Sequence, residues 1–282
     1  MRLKKYASPS EFKAAAFDAL MTQEVQNNLL LMFAHTPDEQ AAGWFLSVVY
    51  DENSAASLIA AMTPPHNIVL FAVDNAVNGD AICALVDYLR SSETTVPGVL
   101  AETKLAHSFA EAMGLDYATA HDQYIMQCDE VNPIKAAGGT FRPAETTDFY
   151  FLPYWSTAFS TECRLNEIEC SLDYHISNTV RWGAAISDFT FLWEVDGKPV
   201  AMAKLARATE NGIGVTCVYT PPMYRNKGYA QTLVAQASQL GLNRGKKFCF
   251  LFADADNPVS CGIYRKIGYH VVCKFAELRF AQ

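Results

Sequence analysis

The sequence predicts an α/β protein, a mixed α+β sheet built in two halves, and three observations predict it. Runs of β-branched and aromatic residues, such as those at 215–220 and 245–253, alternate with stretches of helical spacing. The order of these elements over residues 1–131 recurs over 140–282, by order rather than by residue identity. Between the two, Asn132-Pro-Ile-Lys-Ala-Ala-Gly138-Gly139 has a proline and two glycines, the composition of a linker. The length of 282 residues suits two domains of about 140 residues each.

In the first half, Ser8-Pro-Ser-Glu11 supplies an N-cap and a first-turn acid, and Phe12, Ala15, Ala16 and Leu20 mark one helical face. A second helix follows over 25–34. Residues 44–50 and 55–62 read as two strands joined by Asp51-Glu-Asn-Ser54. A short buried strand at 68–73, a helix at 76–89, a strand edge at 98–100, a helix at 103–113 and a strand at 121–131 complete the half. In the second half, 140–143 is a strand, and 147–161 and 172–182 are helices. Asp196-Gly197 between apolar runs predicts a hairpin of 190–195 with 199–206, because Asp-Gly supplies the positive φ angles that a tight turn needs.

The second half then carries the chemistry. Residues 215–220 (Val-Thr-Cys-Val-Tyr-Thr) have the composition of a central strand, and Pro221-Pro222 ends it because neither proline can donate to a ladder. A helix opens at Arg225-Asn-Lys-Gly-Tyr-Ala230 and runs to about residue 240. Strand, tight turn and helix start present free N–H groups and the positive end of the helix dipole to one point, which suits a phosphate. Gly228 and Ala230 allow close approach to the backbone, and Arg225 and Lys227 add positive charge. No Gly-Lys-Ser/Thr and no Gly-x-Gly-x-x-Gly is present at this turn. By contrast, the first-half strand is followed by Asp74-Asn75-Ala76-Val77-Asn78 and Asp80, whose acids repel an anion, so that half is expected to lack the cradle.

Arg225-x-x-Gly228-x-Ala230 after Val218-Tyr219-Thr220 resembles the acetyl-CoA pyrophosphate loop of the GNAT N-acetyltransferase superfamily. Farther on, Asn257 precedes Tyr264 by seven residues, and Gly268-Tyr269 follows. The spacing Asn-x6-Tyr-x3-Gly-aromatic is similar to a second block of that family. The resemblance covers about 141–280 and implies a tandem GNAT-like fold: a degenerate domain over 1–131, a linker over 132–139 and a catalytic domain over 140–282. It implies acetyl-CoA as co-substrate, held by Val218, Tyr219, Thr220, Arg225, Asn226, Lys227, Gly228, Tyr229, Ala230, Asn257 and Tyr264. Its strand would splay from the next, opening a gap for the pantetheine arm. The implied reaction is direct acetyl transfer to a primary amine on a small molecule or peptide. In it the Val218 N–H stabilises the oxyanion and Tyr264 protonates the leaving thiolate. A phenol suits the latter role because its ordinary pKa near 10 keeps it protonated at neutral pH. The alternative is a non-catalytic acyl-CoA-binding or sensing module.

Composition narrows the partners. The net charge of −8 is uneven, with seven Lys/Arg and 17 Asp/Glu in residues 1–140 and 15 and 13 in the rest. An acidic chain without a basic arm argues against nucleic acid, and no apolar run reaches membrane-spanning length. The eight cysteines show no zinc spacing, so no metal is expected, and they read as reduced thiols of a cytoplasmic protein. His175 is expected to be a surface or structural histidine rather than a base, and Glu162, Glu167 and Glu169 read as a solvated charged loop, with amine recognition the alternative because the resemblance implies an acceptor site there.

Overall fold

The computed structural model describes residues 1–281, which contain twelve strands and ten α-helices. They gather into two compact units. The first contains Met1–Met126, Phe252–Cys261 and the chain from Val271 on; the second contains Gln127–Leu251 and Gly262–His270.

The first unit is built from β1 (Arg2–Tyr6), α1 (Pro9–Met21), α2 (Asn28–Ala34), β2 (Phe45–Tyr50), β3 (Ala56–Met62), β4 (Ile68–Ala72), α3 (Gly79–Ser91), β5 (Gly98–Glu102), α4 (Thr103–Met113) and β6 (Tyr117–Cys128). The Ser8 side chain caps α1 by accepting from the Glu11 N–H. Strands β1 to β4 pair antiparallel in sequence order, and β4 pairs parallel with β5 across the α3 crossover. Alternation along β3 sends its side chains to two cores. Leu58, Ala60 and Met62 join Leu85 of α3 and Phe109 of α4, whereas Ile59 and Ala61 join Phe12 and Leu20 of α1 and Leu30 of α2. Each fully buried Leu or Phe of this kind contributes about 1.5–3 kcal/mol relative to exposure.

The last strand, β12 (His270–Phe280), lies between β5 and β6. There Phe275 stands opposite Glu102 and Arg279 opposite Gly98. Two physical features favour this. Ala276, Leu278 and Phe280 complete the first unit's core. Gly98 also has no Cβ, which would collide with the Leu278 carbonyl of the incoming strand.

The second unit holds β7 (Thr140–Pro143), a 3-10 turn (Thr146–Tyr150), α5 (Leu152–Glu162), α6 (Glu167–Cys170), α7 (Leu172–Trp182), α8 (Ile186–Phe189), β8 (Thr190–Val195), β9 (Lys198–Ala206), β10 (Gly212–Tyr219), α9 (Tyr229–Asn243) and most of β11 (Phe248–Asp254). Helix α10 (Pro258–Ile267) gives its first turn to the first unit and the remainder to the second. The strand order is β11-β10-β9-β8-β7. Asp196 and Gly197 take φ of +49° and +71° in the β8–β9 turn, as an Asp-Gly hairpin requires. Arg142 on β7 donates twice to Asp148, at 2.7 and 3.0 Å, and once to Glu194 on β8 at 2.7 Å. Burial alone would raise the Asp148 pKa, but the bonds from Arg142 and from the Glu145 N–H hold it below the usual carboxylate range. This charged knot fixes the turn from which α5 departs.

Candidate functional site

The site begins where β10 leaves its ladders. Side chains at Gly212 and Gly214 would run into the rings of Phe248 and Phe250, so glycine at both positions lets β10 pair with β11. Their parallel register covers Gly212↔Phe248, Ile213↔Cys249 and Gly214↔Phe250 and goes no farther. On the other side, pairing with β9 steps from Thr216↔Lys204 to Tyr219↔Met202, so β10 advances three residues while β9 advances two. This is a β-bulge at Cys217-Val218, and Cys217 adopts φ of +51°. A non-glycine residue there costs of order 1 kcal/mol. The bulge takes the backbone of Val218 out of the regular ladder with β9.

After Tyr219 the chain turns through Pro221, a 3-10 turn at Pro222–Tyr224, and the loop to α9. Asn226 and Gly228 both take left-handed backbone, with φ of +62° and +80°. Gly228 is the N-cap of α9 and has no side chain to satisfy the first N–H groups, and the first turn carries no acid. The first helical bond runs from the Thr232 N–H to the Gly228 carbonyl, at 3.1 Å. The N–H groups ahead of it, and the dipole of a 15-residue helix, are directed into the loop. Ala137 backs this turn. Its N–H donates to Thr232 Oγ1 at 2.9 Å, and its methyl lies 3.8 Å from where a Gly228 Cβ would stand. The residues present therefore fit an anionic group, with Lys227 exposed beside it.

Arg225 is not a free cation. Its guanidinium donates to both Glu162 oxygens, at 2.7 and 2.8 Å, and its Nε donates to the Thr220 carbonyl at 2.8 Å. It also lies over the Tyr219 ring, 5.9 Å from the centroid. Burial raises the Tyr219 pKa first and the Glu162 charge second, against the opposing effect of Arg225, so the phenol stays neutral at physiological pH. The pair ties the end of α5 to the end of β10 across 63 residues of sequence. Beside it, Thr220 Oγ1 is buried without a hydrogen-bond partner. Nothing in the local sequence at Glu162 or Arg225 signals this link; only the fold brings them together.

Tyr264 belongs to the same unit. Half-buried on α10, it packs edge-on against Tyr269 at 6.0 Å between centroids, and the Tyr269 hydroxyl bonds Ser238 of α9 at 2.7 Å. Its ring is thereby positioned from α9. Asn257 lies in the segment that belongs to the first unit. There its side-chain oxygen accepts from the Ser260 N–H at 3.1 Å, and its carbonyl accepts from the Cys261 N–H, which makes it the cap of α10.

The remaining candidates have structural partners. His175 is buried, and its Nε2 donates to the Glu169 carbonyl at 2.6 Å. Burial lowers its pKa. Glu169 receives the Asn166 side-chain amide at 2.9 Å. A feature absent from the sequence reading is an aromatic and proline-lined groove of about 430 Å³ at the end of β10, containing Tyr219, Trp155 and Pro221. Among the described residues, no group of three or more His, Cys, Asp or Glu could hold a metal, and no helix is long and apolar enough to cross a membrane.

Comparison with known proteins adds three findings. Residues 152–269 match the model of the Acetyltransferase (GNAT) family. None of the curated proteins matches the chain significantly. The whole fold is similar to solved structures of low identity. An acetyltransferase of the GNAT family from Colwellia psychrerythraea has TM-score 0.63 and 9% identity, over 100% of both chains. A GCN5-related N-acetyltransferase from Sphaerobacter thermophilus has TM-score 0.65 and 14% identity, over 99% of this chain and 94% of its own. A tandem GNAT protein from the clavulanic acid biosynthesis pathway has TM-score 0.60 and 12% identity, over 98% and 97%. The mixed α/β fold is thus GNAT-like, and the tandem neighbour supports a two-domain arrangement.

Proposed function

We propose that this chain, whose residues 152–269 match the GNAT family model, moves an acetyl group from acetyl-CoA directly to a primary amine of a small molecule or peptide. The observation that carries the reading is the bulged end of β10 running into an uncapped, acid-free N-terminus of α9. In this proposal the N–H groups from Asn226 to Ala230 hold the pyrophosphate, Lys227 adds charge, and Arg225 braces the loop through Thr220 and Glu162. Val218 to Thr220 carry the pantetheine along β10. The thioester supplies the activated acyl group. The Val218 N–H, released by the bulge, stabilises the oxyanion of the attacked carbonyl, and the Tyr264 phenol gives its proton to the departing sulfur. Holding amine and thioester side by side supplies proximity without a covalent enzyme intermediate.

The test is thiol release from acetyl-CoA in the presence of an amine panel, with Tyr264→Phe alongside. The proposal expects turnover in the native chain. In the variant it expects kcat to fall by about 100-fold, the usual worth of a positioned acid, with acetyl-CoA affinity within about twofold. Saturable acetyl-CoA binding with no thiol release from any amine would overturn the enzymatic reading and leave a non-catalytic acyl-CoA-binding module.

A further inference from the structure

The groove at the end of β10 is lined by side chains to which the proposed acyl transfer gives no role. One wall is Phe151 and Trp155 at the start of α5, with ring centroids 4.5 Å apart. Tyr219, 6.1 Å from Trp155, lines it too, as do Pro221 and Pro222. Tyr150 and Met223 are 75% and 72% exposed at the mouth. None of the lining residues is charged.

Resting on the acyl-transfer reading, we infer that this groove receives the flat, apolar body of the amine acceptor, so that the acceptor is an aromatic ring carrying a primary amine on a short aliphatic linker. Aromatic faces and proline rings bind planar apolar groups through stacking and burial, and a volume of this order holds a molecule of one or two rings. The lining disfavours other amines. A polyamine needs a carboxylate for its second ammonium, and Glu162, the acid whose charge reaches Tyr219, is already held by both of its oxygens in the Arg225 pair. An amino sugar needs a dense set of hydrogen-bonding partners, and the side-chain polar groups of the lining are tyrosine hydroxyls and the Trp155 indole N–H. Location agrees: the lining includes Tyr219, which directly follows Val218 of the proposed oxyanion site. The Arg225 guanidinium over the Tyr219 ring fixes that surface in place.

The experiment uses the full chain and 2-phenylethylamine, spermidine and glucosamine as probes. Binding of each is measured by calorimetry without acetyl-CoA, and kcat/KM for each is measured with it. Saturable binding is expected for 2-phenylethylamine alone. Trp155→Ala should weaken it by about 10-fold and the exposed Tyr150→Ala by about threefold, while acetyl-CoA affinity stays within about twofold. Equal or better binding of spermidine or glucosamine would overturn the inference. So would variants that weaken acetyl-CoA rather than the amine, because the groove would then hold the pantetheine or acyl chain. Binding of 2-phenylethylamine that both variants weaken, in a protein that does not bind acetyl-CoA, would support the groove and refute the transferase reading. Acetyl-CoA turnover with amines that ignore both variants would do the reverse.

Discussion

The two parallel crossovers of this chain, β4–α3–β5 in the first unit and β10–α9–β11 in the second, share element order and differ at the helix start and in the strand that leads into it. Both parallel ladders are short, covering two rungs from Ile68↔Val99 and three from Gly212↔Phe248. Separation of the strands is therefore a property of the fold and does not itself mark a binding site. The helix starts do differ. At α3 the Asn78 side chain accepts from the Asp80 and Ala81 N–H groups, and Asp80 places a carboxylate in the first turn. At α9 the cap is Gly228 with no side chain, and no acid follows. The strands differ too, since β4 pairs with β3 in unbroken register and β10 is bulged. One helix satisfies its own N-terminus; the other leaves it for an anion.

The change with the largest expected effect makes the second crossover like the first. Gly228→Asp sets a carboxylate at the start of α9 and should raise the acetyl-CoA Kd by about 30- to 100-fold, or roughly 2–3 kcal/mol from lost dipole complementarity and like-charge repulsion. Next comes the knot that fixes the origin of α5. Asp148→Asn removes one partner of a largely buried ion pair and should cost about 2–3 kcal/mol of stability, read by urea denaturation. The pH sign follows from the depressed Asp148 pKa. Its contribution is complete above the unfolded carboxylate value near 4 and is lost as pH falls through the lower folded value, so the native chain should gain more than the variant from a rise in pH through that window. The smallest effect is on the first unit. Asn78→Ala should cost about 1 kcal/mol as a lost cap while leaving acetyl-CoA affinity unchanged, and a shift in that affinity would show that the two crossovers are not functionally distinct.

What the sequence disclosed and what it hid follow from the range of each interaction. Local chemistry was legible: the Asp196-Gly197 hairpin and the 172–182 helix lie where the pattern put them, and Arg225 to Ala230 do form a turn into a helix start. Strand β1 was missed because its Arg-Leu-Lys-Lys-Tyr carries three charges at an edge position, where no alternation is required. The bulge was missed because Cys217 sits in an otherwise regular apolar run, with no glycine to mark its positive φ. The partner of β12 was hidden as well: pairing with β5 is set across about 175 residues, and its one local trace is Gly98. Glu162 was read as one acid of a solvated loop, and only the fold sets it on Arg225.

The central claim is that α9 offers its N-terminus to the pyrophosphate of acetyl-CoA. Calorimetric titration of acetyl-CoA into the native chain and into Gly228→Asp, with circular dichroism to check that both are folded, tests it directly. The account predicts saturable binding in the native chain, weakened by the aspartate to the extent stated above. No binding in the folded native chain, or equal affinity in the two proteins, would contradict it.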